Sequence, residues 1–204
     1  MTKLDTSKVK DKKAFLGALT TQVREEAQKI CKEFQGGSLI DIGCGNGLFF
    51  AAIGNLKNTT FFGLDYSFEL LKEAEAIFKD NGFESAYLVK GNGFELPFGK
   101  QVFDGVYFLN TLLNLENRDA AEKMLLNLMN ISRDTLVFDF RNRKNPYIST
   151  KYAIHNLSKT FWTKAYTQEE IEEILAKGGF KIKTLVPIGA KILPFAYLVE
   201  AERN

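Results

Sequence analysis

Histidine and cysteine are scarce in this sequence, which has one histidine and two cysteines among 204 residues. A structural zinc site needs four ligands, mostly cysteine and histidine, and a disulfide framework needs several cysteines. The single histidine, His155, therefore argues against a zinc site, and we expect no metal. Cys31 and Cys44 stand in apolar or loop contexts without metal-ligand spacing. This use of cysteine favours a reduced, cytoplasmic protein.

Long apolar runs and a strong net charge are also missing. No run approaches the roughly 20 apolar residues that cross a bilayer, and the lysine-rich segment Met1–Lys13 has no apolar stretch typical of a secretory signal. We therefore expect a cytoplasmic protein without a membrane span. The 27 Lys and Arg against 25 Asp and Glu leave a net charge of +2. That balance gives no global argument for nucleic acid as a partner.

What the sequence does contain is a glycine-rich turn between an apolar strand and a helix, within Leu39–Ile53. Glycines permit a positive φ and let a ligand approach the main chain without meeting a Cβ. Free amides at the start of the following helix favour a negative group there. A strand, a glycine turn and a helix in this order are typical of the first unit of a nucleotide-binding βαβ fold.

The spacing of the glycines selects among nucleotide ligands. In the dinucleotide fingerprint G-x-G-x-x-G, the third glycine after Gly43 and Gly45 would fall at Leu48. Here the third glycine is Gly47 instead. A second strand, Phe61–Asp65, ends in a carboxylate 20 residues beyond Gly45. That carboxylate can accept two hydrogen bonds from a ribose diol, and its charge would repel a 2′-phosphate.

The pattern D-x-G-x-G-x-G, formed by Asp41, Gly43, Gly45 and Gly47, resembles motif I of the class I S-adenosylmethionine-dependent methyltransferases. The resemblance implies an α/β fold, a Rossmann-like three-layer sandwich with a seven-stranded, mostly parallel sheet and an antiparallel last strand. It covers nearly the whole chain, so residues 1–204 are expected to form a single domain. It also implies S-adenosylmethionine as the methyl donor and S-adenosylhomocysteine as the product.

Two segments extend the resembled core. Apolar residues at three- and four-residue steps predict an amphipathic leading helix over residues 12–35. Residues 141–166 form an insertion after the fifth strand. Phe180–Ile188 and Lys191–Glu200 are predicted to be the last two strands, as an antiparallel pair.

The resemblance assigns the cofactor site to loops at strand ends. In the family a loop that commonly reads G-D-A-x-x-L-P-F places an Asp at the adenine amino group, whereas this sequence has Asn92, whose side-chain oxygen can still accept that bond. Tyr66 either lies on the adenine face or packs on the neighbouring helix. Asn110 is the candidate for the amino group of the methionine part, and Cys44 is better suited to fill space than to act as a nucleophile. The predicted cofactor-binding residues are Asp41, Gly43, Cys44, Gly45, Asn46, Gly47, Asp65, Tyr66, Asn92, Gly93 and Asn110.

The insertion differs in charge from the rest of the chain. Its stretch 141–164 holds +6 and contains no Asp or Glu, through Arg141, Arg143, Lys144, Lys151, Lys159 and Lys164. The interleaved aromatic residues are Tyr147, Tyr152, Phe161 and Trp162. Because ligands of open α/β sheets sit beyond the carboxyl ends of the strands, this cover would suit a small anionic acceptor, with Arg141, Arg143, Tyr147 and Tyr152 as substrate-binding candidates. The alternative is a solvated basic face with its aromatic residues in the core.

Methyl transfer from a sulfonium is an in-line displacement, so the protein mainly holds the nucleophile, methyl carbon and sulfur nearly collinear. No covalent triad is needed, and the sequence has neither G-x-S-x-G nor H-E-x-x-H. A hydroxyl or amine acceptor would use a base, for which Asp139, His155 and Tyr147 are weak candidates. Asp139 alternatively pairs with Arg141.

The sequence thus favours an enzyme that methylates a small, anionic acceptor. The alternatives are an RNA methyltransferase that uses the basic insertion, an NAD-dependent oxidoreductase, which Leu48 argues against, and a non-catalytic S-adenosylmethionine-binding protein. The acceptor, the methylated atom, the catalytic base and the oligomeric state are not determined by the sequence.

Overall fold

The computed structural model describes residues 17–34, 36–54, 56–83, 86–157 and 164–204. The strands are β1 (Gly37–Ile42), β2 (Thr59–Asp65), β3 (Ala86–Lys90), β4 (Phe103–Phe108), β5 (Ser132–Arg141), β6 (Phe180–Ile188) and β7 (Ala196–Arg203). The α-helices are α1 (Gly17–Lys32), α2 (Leu48–Ile53), α3 (Phe68–Asp80), α4 (Arg118–Ile131), α5 (Pro146–Leu157) and α6 (Gln168–Lys177). Within these ranges, no helix combines the length and the apolar character that crossing a membrane requires.

All seven strands join one sheet in the order β3-β2-β1-β4-β5-β7-β6. Strand β1 pairs in parallel with both β2 and β4, whereas β7 is antiparallel to both β5 and β6. This confirms the predicted mostly parallel sheet with an antiparallel last strand. The chain order reverses between β1 and β4, and ligands of open α/β sheets bind beyond the carboxyl ends of the strands at such a point.

Two apolar layers cover the sheet, one on each face. Because successive side chains of a strand point to opposite faces, Ile40 and Ile42 join one layer with α4 and α6, and Leu39 joins the other with α1 and α2. The central strands β1, β4 and β5 are almost entirely buried. The predicted three-layer sandwich is therefore the observed architecture.

Strand β7 starts later than the sequence predicts. It begins at Ala196 rather than Lys191, because Pro194 has no amide to donate and Lys191–Leu193 form part of an exposed loop. Strand β5 is the longest of the seven, at 10 residues, and it is paired on both sides, with β4 and with β7. Both its neighbours help to place its last residues at the carboxyl edge of the sheet.

The leading helix α1 packs on the sheet through a stripe at four-residue steps, formed by Leu19, Val23, Ala27 and Cys31. The observed helix covers Gly17–Lys32, and the rest of the predicted range 12–35 is only partly within the described residues. The amide of Gly189, in the β6–β7 loop, donates to Gln22 of this helix at 3.0 Å. This bond joins α1 to the far half of the sheet.

Helices α3, α4 and α6 begin at side-chain caps. Ser67 accepts from the amide of Leu70, Asn117 accepts from the amide of Ala120, and Thr167 forms a reciprocal capping box with Glu170. Each cap satisfies an amide that has no partner within the helix.

Candidate active site

The turn after β1 adopts a left-handed backbone at each of its three glycines. Gly43, Gly45 and Gly47 have φ angles of 76°, 55° and 74°, which residues with a Cβ rarely adopt. A Cβ on Gly47 would lie 2.8 Å from the Phe78 ring and 3.0 Å from the Cβ of Ala74, so this glycine lets α3 approach the turn. A Cβ on Gly45 would meet nothing within 4 Å. The turn is therefore open at Gly45, where a ligand can approach its main chain.

The amides of this turn are used mainly inside the protein. Gly43 and Cys44 both donate to the Leu64 carbonyl, at 2.7 and 3.1 Å. Gly47 donates to the Cys44 carbonyl at 3.0 Å. The Gly43 and Cys44 amides tie the turn to β2, and the amides at the start of α2 remain the ones predicted to favour a negative group. The glycines therefore supply shape and space, and the amides hold that shape.

Asp65, at the end of β2, lies directly against the glycine turn. Its Oδ2 accepts from the Gly45 amide at 2.8 Å, and its Oδ1 accepts from the Ser67 amide at 2.8 Å. Each carboxylate oxygen can accept a further hydrogen bond. The Gly91 amide donates to the Asp65 carbonyl at 3.0 Å, which brings the loop after β3 beside it. The 20-residue spacing in the sequence thus becomes a contact between the turn and the carboxylate.

Asp41 is buried in β1, one residue before the strand ends. Only 4% of it is exposed, and this burial is the main cause that raises the pKa of its carboxyl to about 8. The positive charge of Arg24 lowers this pKa, and the negative charge of Asp65 raises it further. A buried carboxyl of this kind binds a proton or a cation in preference to standing alone as an anion. The edge of the sheet near β1 is therefore suited to a cationic group.

Cys44 fills space between β1 and β2. A Cβ on Gly63 would lie 2.8 Å from its Sγ, so the thiol occupies the room that this glycine leaves. Burial raises the pKa of Cys44, which keeps the thiol protonated and unreactive. Cys31 is likewise buried and free, and burial raises its pKa to about 12.

A buried polar network lies at the ends of β4 and β5. The Asn110 amide donates to Oδ1 of Asp139 at 2.5 Å, and the Arg141 guanidinium meets its Oδ2 at 2.5 Å. Arg141 also donates to Oδ1 of Asn110 at 3.2 Å, while Asn110 donates to the Thr20 carbonyl at 3.4 Å. The Tyr152 hydroxyl hydrogen-bonds to Arg141. Together these bonds join α1, β4, β5 and α5, and hold Asn110 at a φ of 57°.

The three candidate bases lie in different surroundings. Asp139 is 1% exposed, with both oxygens engaged, so the predicted alternative of an ion pair with Arg141 is what the structure shows. Burial raises the pKa of Asp139, and Arg141 opposes that shift. Tyr147 and His155 lie in the first and last turns of α5, separated by about 12 Å along the helix. Tyr147 is half exposed, and its hydroxyl accepts from Lys151 at 2.9 Å.

Two exposed cations of the insertion have acidic partners on α6. Arg143 pairs with Glu170 at 2.9 Å, and Lys144 pairs with Glu169. Both carboxylates belong to the first turn of α6, where they also complement the helix dipole. Phe161, Trp162 and Lys159 lie outside the described residues. Arg143 and Lys144 therefore lie against α6 and are not unshared positive charges.

The other predicted cofactor residues lie around the same edge. Tyr66 follows Asp65 and is 82% exposed. The side-chain oxygen of Asn92 accepts from the Phe94 amide at 3.0 Å, so the oxygen expected to bind adenine already has one donor. Gly93 lies close to Met124 and Ile42. The structure thus brings the loops after β1, β2, β3 and β4 to one edge of the sheet, with Asn46 half-buried in the first of them.

Three further residues at this edge were not identified from the sequence. On α1, the Thr20 carbonyl accepts from the Asn110 side chain, and the charge of Arg24 lowers the pKa of Asp41. The sequence pattern that could have identified Thr20 and Arg24 is their four-residue spacing, which places both polar residues on one face of α1 beside its apolar stripe. The hydroxyl of Thr111 lies 3.1 Å from where a Cβ of Gly43 would stand. The described residues contain no group of three or more His, Cys, Asp or Glu able to hold a metal ion.

Comparison with known proteins agrees with this geometry. The model of the Methyltransferase domain family matches residues 39–135, which include the glycine turn, Asp65, Asn92 and Asn110. The chain is similar to O-methyltransferase resE of Aspergillus sclerotiorum, with 23% identity over 170 residues that cover 81% of this chain and 62% of that protein. It is also similar to demethylmenaquinone methyltransferase of Bacillus subtilis (strain 168), with 33% identity over 85 residues, 41% of this chain and 36% of that protein.

The chain thus spans less than two thirds of the length of these curated relatives. Among solved structures, magnesium protoporphyrin IX methyltransferase from Synechocystis PCC 6803 with bound SAH has the same fold, with a TM-score of 0.75 and 18% identity. The match covers 94% of this chain and 88% of that one. The family match to residues 39–135, the shared fold and the geometry of the glycine turn together support a class I S-adenosylmethionine-dependent methyltransferase.

Proposed function

We propose that this protein transfers the methyl group of S-adenosylmethionine to a small-molecule acceptor at the carboxyl edge of the sheet. The observation that carries the proposal is the 2.8 Å bond between the Gly45 amide and Asp65, beside the open space at Gly45. This arrangement places a carboxylate for a ribose diol next to main chain that a ligand can reach without meeting a Cβ.

The residues of the site fit the two ends of such a donor. Asp65 would hold the ribose hydroxyls, since both its oxygens retain acceptor capacity. Asp41 would face a cationic part of the donor, because a nearby positive charge offsets the cost of ionising a buried carboxyl. Asn110, held in place by Asp139 and Arg141, would lie at the amino-acid end.

When bound, S-adenosylmethionine supplies a methyl carbon made electrophilic by the sulfonium. The protein would then act mainly by alignment of the acceptor with that carbon in an in-line displacement. Asp139 would act as a positioning residue, since its two oxygens are held by the Asn110 amide and Arg141. A base taken from the chain is not required for an acceptor that ionises readily in water.

We further infer that the methylated atom is an oxygen. The support is the similarity to O-methyltransferase resE, which extends over 81% of this chain. Incubation with labelled S-adenosylmethionine and a panel of phenols, amines and carbon nucleophiles tests this inference. Transfer to phenolic hydroxyls alone would support it, and transfer to amines alone would contradict it.

An anionic group on the acceptor is the last part of the proposal. Its support is the charge of residues 141–164, but Arg143 and Lys144 already share carboxylates of α6, so an acceptor anion would compete with Glu170 and Glu169. Neutralising both cations, as Arg143→Gln with Lys144→Gln, should raise the acceptor KM and leave the affinity for S-adenosylhomocysteine unchanged.

The matched control for that variant is Arg118→Gln, because Arg118 also pairs with α6, through Glu173 at 2.6 Å. An effect on KM shared equally by Arg118→Gln would reflect the stability of α6 and not an acceptor anion. An unchanged KM in the double variant would remove the anionic acceptor from the proposal.

Titration calorimetry with S-adenosylhomocysteine tests the cofactor site itself. Asp65→Ala should abolish measurable binding, because the ribose would lose its acceptor and the turn would lose one of its bonds to β2, that of the Gly45 amide. The control is Asp104→Ala, which also removes a carboxylate bound to a backbone amide, that of Ser38, at the opposite edge of the sheet. Preferential binding of NADH, or retained binding in Asp65→Ala, would overturn the proposal.

A further inference from the structure

Exposed large apolar side chains are concentrated in the chain segments that follow three of the strands. Nine such side chains occur among the described residues, and eight of them follow the carboxyl ends of β2, β5 or β6. They are Tyr66, Phe68 and Leu70, then Tyr147, Ile154 and Leu157, and finally Ile192 and Leu193. The ninth, Tyr87, lies within β3. Scattered exposed apolar residues are ordinary, but a concentration of them indicates an interaction surface.

Five of these side chains form what we term the apolar rim, namely Tyr147, Ile154 and Leu157 on α5 and Ile192 and Leu193 in the β6–β7 loop. Ile192 is 98% exposed, Leu157 80% and Ile154 63%. Tyr147 and Ile154 are seven residues apart, which places them on the same face of α5. That face is opposite to the buried Ile148 and Tyr152.

The two parts of the apolar rim are held together by contacts at the base of the loop. Asn145 donates to the Leu193 carbonyl at 2.7 Å, and Asn142 donates to the Pro194 carbonyl at 2.9 Å. The rings of Tyr147 and Phe195 meet at 5.6 Å between centroids. The exposed tip of the loop therefore stands beside the first turn of α5.

The start of α5 and the β6–β7 loop, which carry the two parts of the apolar rim, lie at the same edge of the sheet as the proposed methyl-donor site. Strand β7 is antiparallel to both β5 and β6, so β5 and β6 run in the same direction and end at the same edge. Helix α5 follows β5, and the loop follows β6. A partner bound to the rim would therefore face the side from which an acceptor enters.

The two segments that carry the rim are basic. Residues 141–157 and 189–195 contain no Asp or Glu. Arg143 and Lys144 share the carboxylates of α6, and Lys151 and Lys191 are the lysines next to rim side chains. Lys191 directly precedes the exposed Ile192, and Lys151 lies over the Tyr147 ring at 5.1 Å. Apolar side chains that project between cations suit a surface with an apolar interior and anionic headgroups.

We propose that the apolar rim docks on an anionic lipid membrane, with Ile192 and Leu193 inserted at the boundary between headgroups and acyl chains. Lys191 lies at the level of the headgroups. The docked face is the open edge of the site, so an acceptor dissolved in the lipid reaches the enzyme without crossing water. This last step rests on the proposed function, whereas the docking itself does not.

Sedimentation of the full chain with vesicles tests the docking. The vesicles are pure phosphatidylcholine and an equal mixture of phosphatidylcholine and phosphatidylglycerol. We expect binding to the mixed vesicles only, and weaker binding as salt is raised. Ile192→Ser with Leu193→Ser should weaken it by at least about tenfold, from the loss of two inserted side chains. Lys191→Gln should weaken it roughly fivefold.

Tyr87→Ser is the matched control, because it removes an exposed aromatic ring on β3, outside these three segments. Equal loss of binding in this variant, equal binding to both kinds of vesicle, or no binding at all would overturn the proposal. So would a concentration-dependent dimer that the double serine variant dissociates, since a second copy would then occupy the rim. The affinity for S-adenosylhomocysteine, measured in parallel, separates failure of docking from failure of the proposed function.

Discussion

Alanine at two of the glycines in the β1 turn should have opposite consequences for stability and for ligand binding. In Gly47→Ala the added Cβ would lie 2.8 Å from the Phe78 ring and 3.0 Å from Ala74. The positive φ costs about 1–2 kcal/mol, and the overpacking costs about 1–3 kcal/mol. The free energy of unfolding should therefore fall by about 2–5 kcal/mol, much of the stability of a typical domain.

Gly45→Ala should lower the free energy of unfolding by only about 1–2 kcal/mol, the cost of a positive φ. No overpacking is expected, because the added Cβ would meet nothing within 4 Å. The same open space is where the proposed donor approaches the main chain. A methyl group there should lower the affinity for S-adenosylhomocysteine by at least about tenfold, which is roughly 1.4 kcal/mol of binding free energy.

Urea unfolding followed by circular dichroism gives the first quantity, and titration calorimetry on the folded fraction gives the second. The contrast between the two variants is the test, since both have the same side-chain change at a positive φ. If Gly45→Ala bound S-adenosylhomocysteine as well as the natural protein does, the donor would not approach the main chain at Gly45. If Gly47→Ala were no less stable than Gly45→Ala, the contact of Gly47 with Phe78 and Ala74 would not limit the size of this residue.

Three further predictions concern the carboxylates at the same edge. Asp65→Asn should lower the affinity for S-adenosylhomocysteine by at least about tenfold, measured calorimetrically, because an amide nitrogen replaces one acceptor oxygen. Arg141→Met should destabilise the fold by about 3–5 kcal/mol in urea unfolding, because Asp139 would stay buried without its cation. For Asp41, burial raises the pKa from 3.8 to about 8, so the folded state holds a proton that the unfolded state has released. The free energy of unfolding should fall as pH rises between those values, and Asp41→Asn should flatten that fall.

Each of these predictions has its own control. Asp139→Asn with Arg141→Met should recover part of the stability lost in Arg141→Met alone, since no buried charge then lacks its partner. An equal loss in the single and double variants would contradict the ion-pair argument. If the free energy of unfolding of Asp41→Asn fell with pH as steeply as that of the natural protein, groups other than Asp41 would cause the pH dependence. Unchanged affinity in Asp65→Asn would leave the ribose without the predicted acceptor.

Much of the fold could be predicted because it is written in local patterns. An apolar run before the glycine turn identified β1, and the glycine spacing with Asp65 identified the βαβ unit, since both depend on residues close in sequence. The antiparallel final pair was also predicted, but its start was misplaced. Pro194 and the exposed Ile192 belong to a loop because β7 is paired from Ala196 onward, and pairing with β5 is not a local property.

The glycine turn and the carboxylate of Asp65, 20 residues beyond Gly45, were recognisable from the amino-acid sequence as parts of a nucleotide-binding unit. Turn geometry depends on a few adjacent residues, so local sequence is enough to predict it. The ion-pair partners of the basic residues in the insertion became visible in the folded structure alone. Arg141 pairs in the core with Asp139, two residues away in the sequence. Arg143 and Lys144 pair with Glu170 and Glu169 of α6, which lie 27 and 25 residues away. An ion pair depends on which elements pack together, and that packing is set by the whole sheet.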